Sequence, residues 1–174
     1  MERKLRAVVG PDDDAHVDAA PLTGEAREAG ISLARRLLGE GAPRACRLAG
    51  GETTVTLGSG PAGTGGRAQE LALAAAQVLA AGPEPCALLL AGGTDGRDGP
   101  TDAAGAVVTA ATWAAIRAAG LDPEQALARH DVYPALDRAG ALLRTGHTGT
   151  NVMDVVVGLI RGGAEAPGGS RARR

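Results

Sequence analysis

Residues 86–93 read CALLLAGG, six apolar positions followed by two glycines, with no polar residue to mark a solvent face. A run this short and this uniformly apolar is the pattern of a strand in a sheet that helices cover on both faces. After its leading aspartate, DVVVGLIRG at 154–162 has the same character and predicts a second buried strand. These two segments set the fold class, and the rest of the chain alternates around them.

On the N-terminal side, RAQELALAAAQVLAAG (67–82) is rich in Ala and Leu and predicts a helix that Gly82 and Pro83 end. RACRLAGGETTVTLG (44–58) predicts a strand, with Leu48, Val55 and Leu57 alternating with small or polar residues and a bend or bulge at Gly50 and Gly51. GEAREAGISLARRLLGEG (24–41) predicts a helix capped by Thr23, with Ile31, Leu33, Leu37 and Leu38 mainly on one side and Gly39 and Gly41 to stop it. On the C-terminal side, GAVVTAATWAAIRAAG (105–120) predicts a short strand at 106–108 and a helix over about 109–119. DPEQALARHDVYPALDRAG (122–140) adds one or two helices, the first capped by Asp122 ahead of Pro123, with Pro134 setting a boundary near Val132 and Tyr133. No internal repeat is evident. The sum is a three-layer α/β domain over 21–162, a mixed or mostly parallel sheet flanked by helices, between a flexible segment at 1–20 and a flexible tail at 163–174.

Composition narrows the function classes. The 174 residues include no Phe, one Trp (Trp113) and one Tyr (Tyr133), so the core must be built from small and branched side chains. The same scarcity removes the aromatic platforms used to bind single-stranded nucleic acid, and a formal charge of -2 provides no basic footprint, so no nucleic-acid partner is expected. Cys46 and Cys86 lie in apolar stretches without CxxC spacing and are read as buried thiols. No stretch approaches the roughly 18 uncharged residues that span a bilayer, and the N-terminus has no apolar signal core. A soluble cytoplasmic protein is expected.

Three glycine-rich polar segments adjoin strands and helices, where open α/β folds gather ligands. In GSGPAGTGGRAQE (58–70), backbone N–H groups can face an anion near a helix N-terminus, or the glycines can simply form a crossover. AGGTDGRDGPTDAAG (91–105) packs Asp95, Asp98 and Asp102 around Arg97. Such carboxylates suit a Mg²⁺ site or the polarising of a hydroxyl, and the guanidinium suits phosphoryl charge; an Asp-rich capped turn is the alternative. RTGHTGTNVMD (144–154) offers Thr148, Thr150 and Asn151 as neutral hydrogen-bonding groups, with His147 as a possible general base. His16 and His130 have no visible partners in the sequence. Glu25 and Arg27 are read first as a solvated helix face, and Glu70 as a carboxylate complementing a helix dipole.

LTGEAREAG, GGETTVT, GGRAQELALAAA, GGTDGRDGPTDAAGA and TGHTGTNVMDVVV, taken in order over about 22–162, resemble the consecutive motifs of the MOFRL region of class II glycerate kinases. The resemblance implies an α/β domain acting in transfer of the ATP γ-phosphate to the 2-hydroxyl of D-glycerate, with ATP and Mg²⁺ as cofactors. Some relatives carry the label hydroxypyruvate reductase, a reading set aside here although GSGPAG at 58–63 has the GxGxxG spacing of a dinucleotide loop. Carried over residue by residue, it implies a catalytic role for Arg97, Asp95 and Asp98, with Asp95 and Asp98 as metal ligands or as groups that orient the hydroxyl. It implies substrate or phosphate contacts from Arg67, Gln69, Glu70, Thr94, Thr101, Asp102, Thr148, Thr150 and Asn151. Ala68 stands where relatives usually have Asn in GGRNQE. Similar enzymes also have a larger α/β domain with nucleotide contacts and a lysine, and nothing here matches it. A separately encoded larger domain or a homo-oligomer is therefore expected; a stand-alone binding module or the relic of a truncated gene is the alternative.

Overall fold

The two all-apolar segments lie side by side, β3 (Ala87–Gly93) antiparallel to β6 (Asp154–Arg161), with Leu88 opposite Leu159 and Leu90 opposite Val157. The computed structural model describes residues 14–39, 44–82 and 87–161; Cys86 and the expected 163–174 tail lie outside them. The remaining elements are β1 (Asp14–Val17), α1 (Ala26–Gly39), β2 (Arg44–Gly51), α2 (Arg67–Ala81), β4 (Gly105–Thr109), α3 (Thr112–Ala118), α4 (Pro123–Ala128), α5 (Val132–Arg138) and β5 (Leu142–Leu143). They form one six-stranded sheet in the order β1-β2-β6-β3-β4-β5. Only β1 and β2 pair in parallel, so the sheet is mixed, as expected, and its centre is antiparallel.

Several local expectations are corrected. β1 falls inside the 1–20 segment read as frayed, where parallel pairing to β2 buries Ala15. The β2–β6 register runs unbroken from Arg44 to Gly51, so Gly50 and Gly51 make no bulge, and the strand stops there. Thr54 lies beyond the strand, joined to Glu25 by an isolated parallel bridge. Helix α1 begins at Ala26, with the Glu25 carbonyl accepting from Ala29 N–H, which leaves Thr23 too early to cap it. Asp122 does cap α4, its Oδ1 accepting from Glu124 N (2.9 Å) and Gln125 N (3.2 Å). Helix α5 starts at Val132, at the boundary that Pro134 predicts.

The core lies between the sheet and α2. Leu71, Leu73 and Leu79 of α2 meet Leu37 of α1, Ile116 of α3, Val132 and Leu136 of α5, and Leu89, Val108 and Val156 of the sheet. All five helices belong to this one layer. On the opposite face Leu48, Leu88, Leu90, Val107, Val155, Val157 and Leu159 are only half-buried and lie outside the core. Of the two helical layers expected, the described residues contain one. The alanines of α2 let neighbours come close: a Cβ on Gly30 of α1 would lie 2.2 Å from the Leu71 carbonyl oxygen.

Candidate active site

Because β3 and β6 run antiparallel, the end of β3 and the start of β6 meet, with Gly93 opposite Asp154. The loops 94–104 and 144–153 therefore emerge together, beside the N-terminus of α2. They are stitched by Thr94, whose Oγ1 donates to the Met153 carbonyl (2.7 Å) and accepts from Val152 N–H (2.8 Å). Thr148 Oγ1 donates to the Thr94 carbonyl, and Thr148 N–H to the Asp95 carbonyl (3.3 Å). At the crossing, Gly96 has φ 89°, and a Cβ there would lie 1.9 Å from the Gly146 oxygen. Any side chain would force the two loops apart.

The N-terminus of α2 is occupied by a side chain of this protein. Asp98 accepts from Ala68 N–H (3.1 Å) and Gln69 N–H (2.8 Å), filling the place the sequence reserved for a phosphate. Burial raises the Asp98 carboxyl to about 6; these two hydrogen bonds pull it down, Asp154 pushes it up and Arg67 lowers it. Gln69 is fully buried and donates to the Asp98 carbonyl (3.3 Å) and to Thr101 Oγ1 (2.9 Å), while Thr101 donates to the Asp98 carbonyl (2.8 Å). Gln69 and Thr101 thus hold the loop from within, out of reach of a substrate.

Arg67 lies against Asp154, with Nε at 2.7 Å from Oδ2 and Nη2 at 3.2 Å from Oδ1, and its Nη1 is 2.6 Å from Glu52. Bonding to Asp154 holds its guanidinium above its ordinary value. A substrate would reach it by displacing the exposed Glu52. Arg97 differs: its Nε donates to the Thr101 carbonyl (3.3 Å), and among the described residues it has no carboxylate partner. Asp95 accepts from Arg97 N–H (3.0 Å). Arg67, Asp95, Arg97 and Asp98 line one cleft of about 540 Å³ with Gly65, Gly66, Glu70 and His130.

Glu70 was read as a dipole partner and His130 as isolated; the fold joins them. Glu70 is buried, with Arg27 Nε 2.5 Å from Oε1 and His130 Nδ1 2.9 Å from Oε2. Glu70 therefore pairs with Arg27 and His130 at the wall of the cleft. Asp102 stands apart on the surface, accepting from Tyr133 OH (2.7 Å) and Arg144 Nε (3.1 Å), contacts that hold it below the usual carboxylate range. Thr150 and Asn151 bond within their own loop, Thr150 N–H to Thr148 Oγ1 (3.4 Å) and Met153 N–H to Asn151 Oδ1 (3.0 Å). His147 is exposed. Glu25 takes Thr56 Oγ1 at 2.5 Å and Thr56 N–H at 3.3 Å, which lower its carboxyl.

By themselves the described residues form no closed cage of protein ligands for a divalent cation. No group of three His, Cys, Asp or Glu side chains converges among the described residues. Asp98, expected as a ligand, spends both oxygens on backbone N–H groups, which leaves Asp95 as a single carboxylate.

Residues 45–154 match the MOFRL family. The chain belongs to that family. Against D-glycerate 2-kinase of Thermotoga maritima it is 46% identical over 153 residues, 84% of this chain and 36% of the relative. Against glycerate 2-kinase of Pyrococcus horikoshii it is 41% identical over 152 residues, 84% of this chain and 34% of the relative. The crystal structure of T. maritima glycerate kinase superposes with a TM-score of 0.77 at 44% identity, covering 85% of this chain and 36% of that one. This MOFRL chain thus spans about a third of the length of the relatives it matches. Among the described residues no helix is long and apolar enough to cross a membrane.

Proposed function

We propose that this chain forms one wall of a glycerate 2-kinase site and acts with the part of the fold that its relatives carry beyond the aligned region. The reaction is transfer of the γ-phosphoryl group of ATP to the 2-hydroxyl of D-glycerate, an activity that suits a cytoplasmic location. The observation that carries this reading is Arg97, a guanidinium exposed in the cleft and without a carboxylate partner among the described residues, in a chain 41% and 46% identical to two glycerate 2-kinases. Phosphoryl transfer needs positive charge where the equatorial oxygens gather electron density, and an unpaired guanidinium supplies it without first giving up a partner. Asp95 fixes the backbone at Arg97, Asp98 anchors the loop to α2, and the bonds of Thr94 and Thr148 hold the neighbouring loop against it. Arg67 is a second cation at the cleft, held by Asp154 and Glu52. A Mg²⁺ ion would draw on Asp95 together with nucleotide phosphates and water, and no step is assigned to it.

The test is ADP release with D-glycerate and ATP, by this chain alone and mixed with the remainder of the T. maritima enzyme. Activity in the mixture is expected, with Arg97→Ala lowering kcat by about 10²–10³-fold while circular dichroism stays unchanged. An undiminished kcat in Arg97→Ala refutes the role of that residue. A folded chain that binds ATP or glycerate without turnover in either arm points instead to a binding module.

A further inference from the structure

Helix α4 ends in a Schellman turn: His130 N–H donates to the Leu127 carbonyl (3.1 Å) and Asp131 N–H to the Ala126 carbonyl (2.8 Å), with His130 at φ 53°. Glycine is the usual occupant of that left-handed position, because a Cβ there is strained. A histidine in its place has a use outside the turn. Its Nδ1 lies 2.9 Å and 3.2 Å from the two oxygens of buried Glu70, and 3.0 Å from Arg27 Nη2. A ring nitrogen this close to both carboxylate oxygens needs a proton between them, which makes Nδ1 the protonated nitrogen and leaves the lone pair on Nε2. Arg27 Nη2 donates to the Leu127 carbonyl and meets Nδ1 as a neighbour on the shared carboxylate. Its charge offsets that of Glu70, so the ring need not be cationic. Nε2 has no partner among the described residues, and His130 lines the cleft that holds Arg97.

We infer that His130 is the general base that takes the proton of the substrate hydroxyl, with Glu70 and Arg27 as positioning residues; this rests on the glycerate 2-kinase reading. As the 2-hydroxyl oxygen bonds to the γ-phosphorus, its O–H bond breaks and the proton passes to Nε2. The bond from the γ-phosphorus to the bridging oxygen breaks, and its electron pair leaves with ADP. His130 then returns the proton to solvent. Arg27 from α1 and Glu70 from α2 face the ring, Arg129 and Asp131 flank it in its own turn, and Arg67, Asp95, Arg97 and Asp98 share the cleft that it lines. The Asp131 carboxylate is engaged by Thr64 N–H (2.8 Å).

Two measurements test this. Long-range ¹H–¹⁵N spectra of the chain itself at pH 8 should show His130 protonated on Nδ1, and Glu70→Gln should abolish that preference; a ring protonated on Nε2 overturns the proposal. Glycerate-dependent ADP release by the complemented enzyme is then followed against pH with His130→Asn, since Asn tolerates a positive φ but carries no base. The expected result is a loss of about 10²–10⁴-fold in kcat, with little change in KM and with the fall in rate at acid pH removed. Unchanged kcat and profile in His130→Asn overturn the assignment while the function stands. No ADP release from the wild-type mixture overturns the functional reading, and the proton transfer with it.

Discussion

At the scale of single residues, Asp98 shows how a signature carboxylate serves the fold. It replaces a missing N-cap side chain, since Gly66 offers none to α2. Asp98→Ala would strand the Ala68 and Gln69 N–H groups in a buried place and should cost about 1–3 kcal/mol, read from urea midpoints. The raised carboxyl gives a second expectation. The folded state holds this proton more tightly than the unfolded chain does, about 6 against an ordinary 3.8. The resulting stabilisation is complete below the ordinary value and is lost as pH rises through about 6, an order of about 3 kcal/mol. Relative to Asp98→Asn, the wild type should lose stability by that amount between pH 3.5 and pH 7; parallel curves would refute it. The sequence displayed Asp98 but not this duty, because its partners lie 29 and 30 residues away. Glu70, Arg27 and His130 were harder to join, with separations of 43, 60 and 103 residues and no shared motif. A histidine at the left-handed end of a short helix was the one local signal available.

Among the elements, most of the helices and both central strands were legible, because Ala/Leu density, apolar runs and Asp-Pro caps act locally. The 53–57 stretch was not: its alternation resembles a strand, yet β6 ends its ladder at Gly51↔Asp154 and offers no neighbour beyond. Packing between elements was likewise hidden. Gly30 within α1 reads as a weak point of a helix, but it is where the backbone of α2 comes closest. Gly30→Ala improves intrinsic helix propensity by about 1 kcal/mol. Its Cβ would nevertheless collide with backbone that cannot swing away, so a net loss of about 1–3 kcal/mol is expected. A raised Tm would show that α1 and α2 are free to separate and that their contact does not fix the wall of the cleft.

For the whole molecule, uniform apolarity in β3 and β6 suggested cover on both faces of the sheet, but it could not say what supplies each cover. The pleat divides the run: Ala87, Leu89 and Ala91 enter the core, while Leu88 and Leu90 face the side where no described helix lies. Relatives about three times as long share this fold over the aligned region and carry further chain beyond it. In this chain alone the two faces should therefore differ in energy. Leu89 is 1% exposed, and Leu89→Ala should cost about 2–5 kcal/mol. Leu90→Ala removes the same atoms from a half-buried position and should cost no more than about 1–1.5 kcal/mol. Adding the remainder of a glycerate kinase should raise the second cost toward the first if that part covers the face. Equal costs in the chain alone would mean that it already supplies its own second layer, restoring the three-layer arrangement its sequence suggests.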